Sequence, residues 1–224
     1  MLNKTMSSFR MATLGVAVAG SMMAAQQVAA EESVEIAASA AVASMYLWRG
    51  TDLGNGAPVV SGDITASMAG AYAGIWGSSG DTGFGSEYDL YLGYGAEIEG
   101  FSFDVSLWNY NYANNPAYDT FGALTDLAVS VGFGSVTFTV LDNIAGGSGE
   151  FYYTLDAAMD QFSAKVGRYV KAGSDNNYTH LDLGYAYNDN LAFTLSKIVD
   201  TDTATTENDN TLFVVSYSLP IDIK

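Results

Sequence analysis

The sequence predicts an all-β fold, a transmembrane antiparallel up-and-down barrel of about 12 strands behind a cleaved signal peptide. Three observations predict it. Apolar and polar residues alternate at period two along most of the chain, short turns and long polar links follow one another in strict alternation, and aromatic residues gather at segment ends.

The N-terminus is separate from this pattern. It carries Lys4 and Arg10, an apolar run from Met11 to Ala25, and the small residues Val28-Ala29-Ala30 before Glu31. That order is a secretory signal peptide, with cleavage after Ala30. A spanning helix needs about 20 apolar residues, and Gln26 and Gln27 interrupt this run too early. Residues 31–224 then form one barrel domain, in which six Lys/Arg face 25 Asp/Glu. Nucleic acid is excluded as a partner, because phosphate binding relies on cations. With no cysteine the chain has no disulfide, thiolate metal site or lipidated cysteine.

The expected strands are 34–48, 57–68, 71–78, 86–96, 101–112, 121–132, 135–142, 150–158, 162–170, 178–187, 191–199 and 211–219. The second sets Val60, Ile64, Ala66 and Met68 against Ser61, Asp63, Thr65 and Ser67. The fourth sets Tyr88, Leu90, Leu92 and Tyr94 against Glu87, Asp89, Tyr91 and Gly93, and the fifth sets Phe101, Phe103, Val105 and Leu107 against Ser102, Asp104 and Ser106. Such alternation argues strand over helix. Tight turns are expected at Met68-Ala69-Gly70, Glu97 to Gly100, Gly132-Phe133-Gly134, Asp160-Gln161 and Asn188-Asp189-Asn190, where hairpins favour Gly, Asn or Asp. Between them lie the links 49–56, 79–85, 113–120, 143–149, 171–177 and 200–210. Short turns on one rim and long loops on the other match an outer-membrane barrel with periplasmic turns.

A soluble sandwich alternates too, and two features separate it from a membrane barrel. The polar face carries a carboxylate in strand after strand, at Glu35, Asp63, Glu87, Asp89, Asp104, Asp126, Asp142, Asp156 and Asp182. On the apolar face, Tyr94, Phe101, Phe133, Phe162, Tyr187 and Tyr217 among others lie at the short-turn ends, while Trp48, Trp76, Tyr88, Phe151 and Tyr153 lie at the loop ends. Two such belts mark two membrane interfaces. The chain runs past Tyr217 and Leu219 into Pro220 to Lys224, so those two residues carry any aromatic end signal from within.

Ser44, Tyr46, Trp48-Arg49-Gly50, Ala57-Pro58, the run Gly70-x-Tyr72-x-Gly74-x-Trp76-x-Ser78, and Glu87-x-Asp89 followed by Gly93-Tyr94 resemble the N-terminal half of the proteobacterial Gcw_chp family, the TorF-type porins. The resemblance is specific over about 44–112 and implies a signal-bearing outer-membrane barrel of porin type. Val60-Ser61-Gly62 stands where the family pattern carries a glutamine before the glycine.

The expected function is passive diffusion of small hydrophilic solutes through the outer membrane, with a weak preference for cations from rings of Asp and Glu. The expected pore-lining residues are Arg49, Asp63, Glu87, Asp89, Asp104, Lys165 and Asp182, with Lys197 a further inward cation. Arg49 at the outer rim either opposes Glu87, Asp89 or Asp63 across a constriction or braces the first hairpin as a structural ion pair. Tyr110 and Tyr112 are candidate solute contacts for a sugar or nucleoside channel, or rim tyrosines of an interface belt. His180, the only histidine, sits beside Asp182 and reads as a lumen-lining imidazole rather than the base of a lipid hydrolase. No catalytic residue, metal ligand or cofactor is assigned. The acidic loop 200–210 lacks the spacing of an EF-hand and reads as a solvated surface loop. The expected partners are outer-membrane lipid and small hydrophilic solutes or cations.

Overall fold

Backbone groups facing lipid must all be paired, so a sheet crosses a membrane only when its last strand returns to its first. The computed structural model closes in this way. It describes residues 33–147, 149–202 and 210–223. The expected signal peptide and most of the loop 200–210 lie outside the described residues.

The strands are β1 Glu35–Ala43, β2 Leu47–Trp48, β3 Thr51–Asp52, β4 Val59–Met68, β5 Ala71–Asp81, β6 Gly85–Ile98, β7 Phe101–Tyr112, β8 Thr125–Phe133, β9 Val136–Ala145, β10 Glu150–Met159, β11 Phe162–Lys171, β12 Tyr178–Ala186, β13 Leu191–Thr201 and β14 Leu212–Ile221. Twelve of them form one closed barrel in which each wall strand pairs antiparallel with its neighbours. Closure is made by β14 on β1, in a register that sets Val42 opposite Tyr217 and Ala40 opposite Leu219. β2 and β3 form a separate two-stranded hairpin. The short turns fall where the sequence expects them, with Ala69, Glu99 and Asp160 at positive φ as tight hairpins require.

The barrel is apolar outside and polar inside. Along β8 the inward Asp126, Ala128 and Ser130 are buried, whereas the outward Val129 and Val131 are more than 40% exposed. β13 repeats this, with Thr194 and Ser196 buried and Leu195 and Val199 exposed. A soluble monomer rarely leaves contiguous apolar patches larger than about a few hundred Å². A band running around every wall strand is the outer surface of a membrane barrel. Placing a charge on that band at mid-height, as in Leu183→Arg, is expected to destabilise the barrel by roughly 2–4 kcal/mol, against about 0–1 for Tyr187→Arg near the short-turn rim. Urea unfolding in matched detergent micelles or lipid vesicles checks this, and equal effects at the two heights contradict the assignment.

Four residues lie on the face opposite to the one expected, and each has a local cause. Asp142 pairs with Leu127 and Phe151 on the outward face, because it continues the period-two alternation of Val136, Phe138 and Val140, which leaves Asn143 inward. Lys197 pairs with the outward Leu181, since Ser196 and Ile198 take the inward positions. Near the long-loop rim it joins Arg168, whose guanidinium donates to Thr179, Asp200 and Asp202. Hydrogen bonds from Asn177 and Arg168 hold the Asp202 carboxyl below its ordinary range. Trp76 pairs with Asp63 and Asp89 and points into the lumen, so the loop-end aromatic belt consists of Tyr88, Phe151 and Tyr153.

The fourth is Trp48, and it marks the largest departure. The first wall strand stops at Ala43 rather than running to residue 48. Ser44 makes the exit. Its N–H still donates to the Val215 carbonyl, but its side-chain Oγ, not a further backbone carbonyl, accepts the Val215 N–H. The ladder is satisfied one residue past the strand, and Met45 onward leaves the wall.

Candidate functional site

What leaves the wall is a hairpin that enters the lumen. Trp48 pairs with Thr51 across Arg49 and Gly50, which take φ of 46° and 83°. Two successive positive φ values in a two-residue connection make a type I′ turn, the hairpin form most often filled by Asn-Gly or Gly-Gly. The base is pinned by the Asp52 carboxylate, which accepts the N–H groups of Gly54 and Gly56, and by Thr82 of the β5–β6 loop, which donates to the Leu53 carbonyl.

The hairpin reaches successive wall strands around the barrel. The Tyr46 hydroxyl donates to Glu87 on β6, and the Tyr46 ring lies 6.3 Å from that of Trp76 on β5. Trp48 packs edge-on against Tyr110 of β7 at 5.7 Å. The Arg49 guanidinium donates to Asp126 Oδ2 on β8 at 2.6 Å, and its carbon lies 4.6 Å from the Trp48 ring centroid and 4.7 Å from that of Tyr152 on β10. Gly50 meets β12, where a Cβ added at this glycine would stand 2.6 Å from the Cβ and Cγ of His180. Contacts from β5 through β12 mean that the segment crosses the lumen. Tyr46 and Leu47 are 1% and 2% exposed, although both lie outside the wall strands.

The wall around it is aromatic. Tyr91 and Trp108 stack at 4.3 Å, and Tyr112 donates to Glu87 Oε1 at 2.8 Å. Tyr110 donates to Asp126 Oδ2 at 3.2 Å, and Asn143 donates to Asp126 Oδ1 at 2.7 Å. Asp126 is thus held by the wall independently of Arg49. On the far side, Tyr152 OH is 2.7 Å from His180 Nε2, His180 Nδ1 is 2.9 Å from Asp182 Oδ1, and Ser196 donates to that same oxygen at 2.6 Å. Gly167 makes room for this chain, because a Cβ there would lie 2.1 Å from His180 Nε2.

Towards the short-turn rim the lumen becomes wetter. Asp63 accepts from Tyr91 at 2.5 Å, and Asp104 accepts from Tyr72 at 2.8 Å. Lys165 pairs with Asp156 at 3.2 Å. Asp63, Asp156, Lys165 and Asp182 are half-buried, and Ser163 is exposed. The molecule therefore has a filled half near the long loops and a polar half near the short turns.

All seven expected lining residues face the lumen, but they do not form one ring. Asp63, Asp104, Lys165 and Asp182 line the polar half, whereas Glu87 and Asp89 are buried beneath the hairpin. Arg49 is neither at the outer rim nor opposed to Glu87, Asp89 or Asp63; its partner is Asp126, because the inward turn carries the guanidinium past β6 to β8. Tyr110 and Tyr112 are buried lumen residues packed around the hairpin rather than rim residues. Tyr152 and the role of Asp126 are absent from the sequence-based set. The signal that could have found them is the Arg-Gly pair flanked by Trp48 and Thr51, which reads as a two-residue hairpin once strand one is allowed to stop at Ser44. Among the described residues no group of three or more His, Asp or Glu side chains is arranged to hold a metal ion.

The family model described as a bacterial protein of unknown function (Gcw_chp) matches residues 27–218. The chain belongs to the Gcw_chp family. Within this Gcw_chp protein the match covers every barrel strand but the last residues of β14. No curated protein matches it. Among solved structures it is similar to the outer membrane phospholipase A from Escherichia coli, at 8% identity and a TM-score of 0.42, over 83% of this chain and 90% of that one.

Proposed function

We propose that this Gcw_chp protein is an outer-membrane channel for small hydrophilic solutes, with a preference for cations, whose resting state is closed by the β2–β3 hairpin. The observation that carries the reading is the hairpin itself, anchored to the lumen wall from Glu87 to His180. A barrel that only needed a filled interior could use wall side chains, as small barrels do. This one uses a separate loop, joined to the wall by one ion pair, the Tyr46–Glu87 hydrogen bond and a few ring contacts, and tied at its base to Thr82. Cation preference is supported by Asp63, Asp104 and Asp182 in the polar half, where Lys165 is already neutralised by Asp156.

Localisation in the outer membrane follows from the outward apolar band together with the signal peptide expected at residues 1–30. No catalytic step is assigned to His180, because both ring nitrogens are engaged within the lumen and the ring is fully buried.

In a planar bilayer under a KCl gradient the wild-type protein is expected to stay mainly closed, with brief openings whose reversal potential favours K⁺. A steady, large conductance from the wild type would contradict the closed resting state. Openings that favour Cl⁻ would contradict the acidic lumen as the selecting element.

A further inference from the structure

The surroundings of Arg49 have the chemistry of a ligand site. Its guanidinium lies over the rings of Trp48 and Tyr152 and against the carboxylate of Asp126. Planar cation, aromatic faces and a carboxylate are the usual parts of guanidinium recognition. The wall components are set before the cation arrives, since Tyr110 and Asn143 already orient both oxygens of Asp126.

Arg49 also occupies this place at a local disadvantage. Its φ of 46° puts a long side chain in the left-handed region, at a turn position where Asn or Gly is unstrained. Such outliers cluster at clamps and switches. The fit is incomplete as well: Arg49 Nε and Asp89 Oδ1 are buried with no hydrogen-bond partner. Asp89 interacts electrostatically with Glu87 and Asp126, so the carboxylate that accepts Arg49 belongs to an acidic cluster.

We propose that the lumen site made by Tyr152, Tyr110 and Asp126, with Asp89 beside it, binds a free guanidinium-bearing cation, and that Arg49 is its tethered competitor. The proposal rests on the reading that the hairpin leaves the lumen. A free guanidinium needs no left-handed turn and is not restricted to the approach that the hairpin imposes. A compact ammonium satisfies the charge but lacks the planar face and the fork of donors, so the site discriminates by shape as well as by sign.

The test uses full-length Arg49→Asn, which gives the type I′ turn its favoured Asn-Gly pair and removes only the guanidinium. Tryptophan fluorescence is followed during titration with millimolar guanidinium chloride, with sodium and methylammonium chloride at equal ionic strength as controls. A saturable change is expected for guanidinium alone, absent from the wild type, where Arg49 fills the site, and lost in Arg49→Asn/Asp126→Asn. Arg49→Gly, equally compatible with the turn, is expected to repeat it. A response shared by all three salts, or one that survives in the double variant, overturns the site. Conductance recorded on the same protein separates the two ideas. An Arg49→Asn channel that conducts without a guanidinium-specific response removes the site and leaves the gated channel; specific binding in a barrel that no variant makes conductive does the reverse.

Discussion

Replacing residues 44–58 with Asn-Gly is expected to turn a mainly closed barrel into a steadily conducting one. Ala43 and Val59 are register partners at the ends of β1 and β4, so a two-residue connection can join them without disturbing the wall. The excision removes the Tyr46, Leu47, Trp48 and Arg49 side chains from the lumen, and with them the cation paired with Asp126. What remains exposed there is Glu87, Asp89 and Asp126, and the reversal potential should move further towards K⁺ than in the brief wild-type openings. Heat-modifiable migration in gel electrophoresis provides the control that the barrel is still folded. A folded, excised barrel that does not conduct would mean that Trp76, Tyr91, Trp108 and the neighbouring tyrosines close the lumen by themselves.

Asp126→Ala should have the second-largest effect, through the charge it leaves behind. Arg49 and Asp126 side chains are 9% and 3% exposed, and the guanidinium stays protonated in any protein environment. Removing one member of a buried pair typically costs about 3–5 kcal/mol, because the other is stranded away from water. The hairpin has an escape that a core residue lacks, which is to withdraw towards the long-loop rim and hydrate Arg49. With about 1.4 kcal/mol to a factor of ten, the closed-to-open ratio should fall by at least a hundredfold, while the stability of the wall changes little. Open probability in the bilayer reads the first quantity, and urea unfolding reads the second. Asp126→Ala/Arg49→Asn removes both charges and should recover part of the stability without restoring closure. Strong loss of barrel stability with unchanged open probability would assign the pair to the wall rather than to the gate.

The wall was legible in the sequence because a membrane barrel repeats one rule at every strand. Val60 to Met68 and Tyr88 to Tyr94 alternate without interruption, and each short turn carries its Gly, Asn or Asp. The exceptions are charged residues at outward positions of strands that keep their period. Asp142 follows Val136, Phe138 and Val140, and Lys197 follows Phe193 and Leu195, so both face outward by parity alone. Near the long-loop rim polarity does not mark the lumen face.

The site was half legible. Arg49 stood out as a cation in an acidic chain, and its inward direction followed from its alternation with Met45 and Leu47. Its partner could not be read, because Met45, Tyr46, Leu47 and Trp48 resemble the continuation of a strand. The stop depends on a side-chain hydrogen bond from Val215 to Ser44, across 171 residues. Tyr152 was hidden for a different reason: a lumen tyrosine and a belt tyrosine differ only in parity along the strand.

A cross-link reports whether the hairpin tip sits against β12. The chain has no cysteine, so a Gly50→Cys/His180→Cys pair reports without background. The added Cβ would start 2.6 Å from that of residue 180, and a small retreat of the hairpin brings it to the 3.5–4.5 Å range of a disulfide. The expected result is spontaneous bond formation in the membrane-embedded protein, no conductance while the bond is intact, and openings on reduction. Two free thiols that both react with a water-soluble maleimide, in a barrel that remains closed, would place the hairpin outside the lumen and contradict the account.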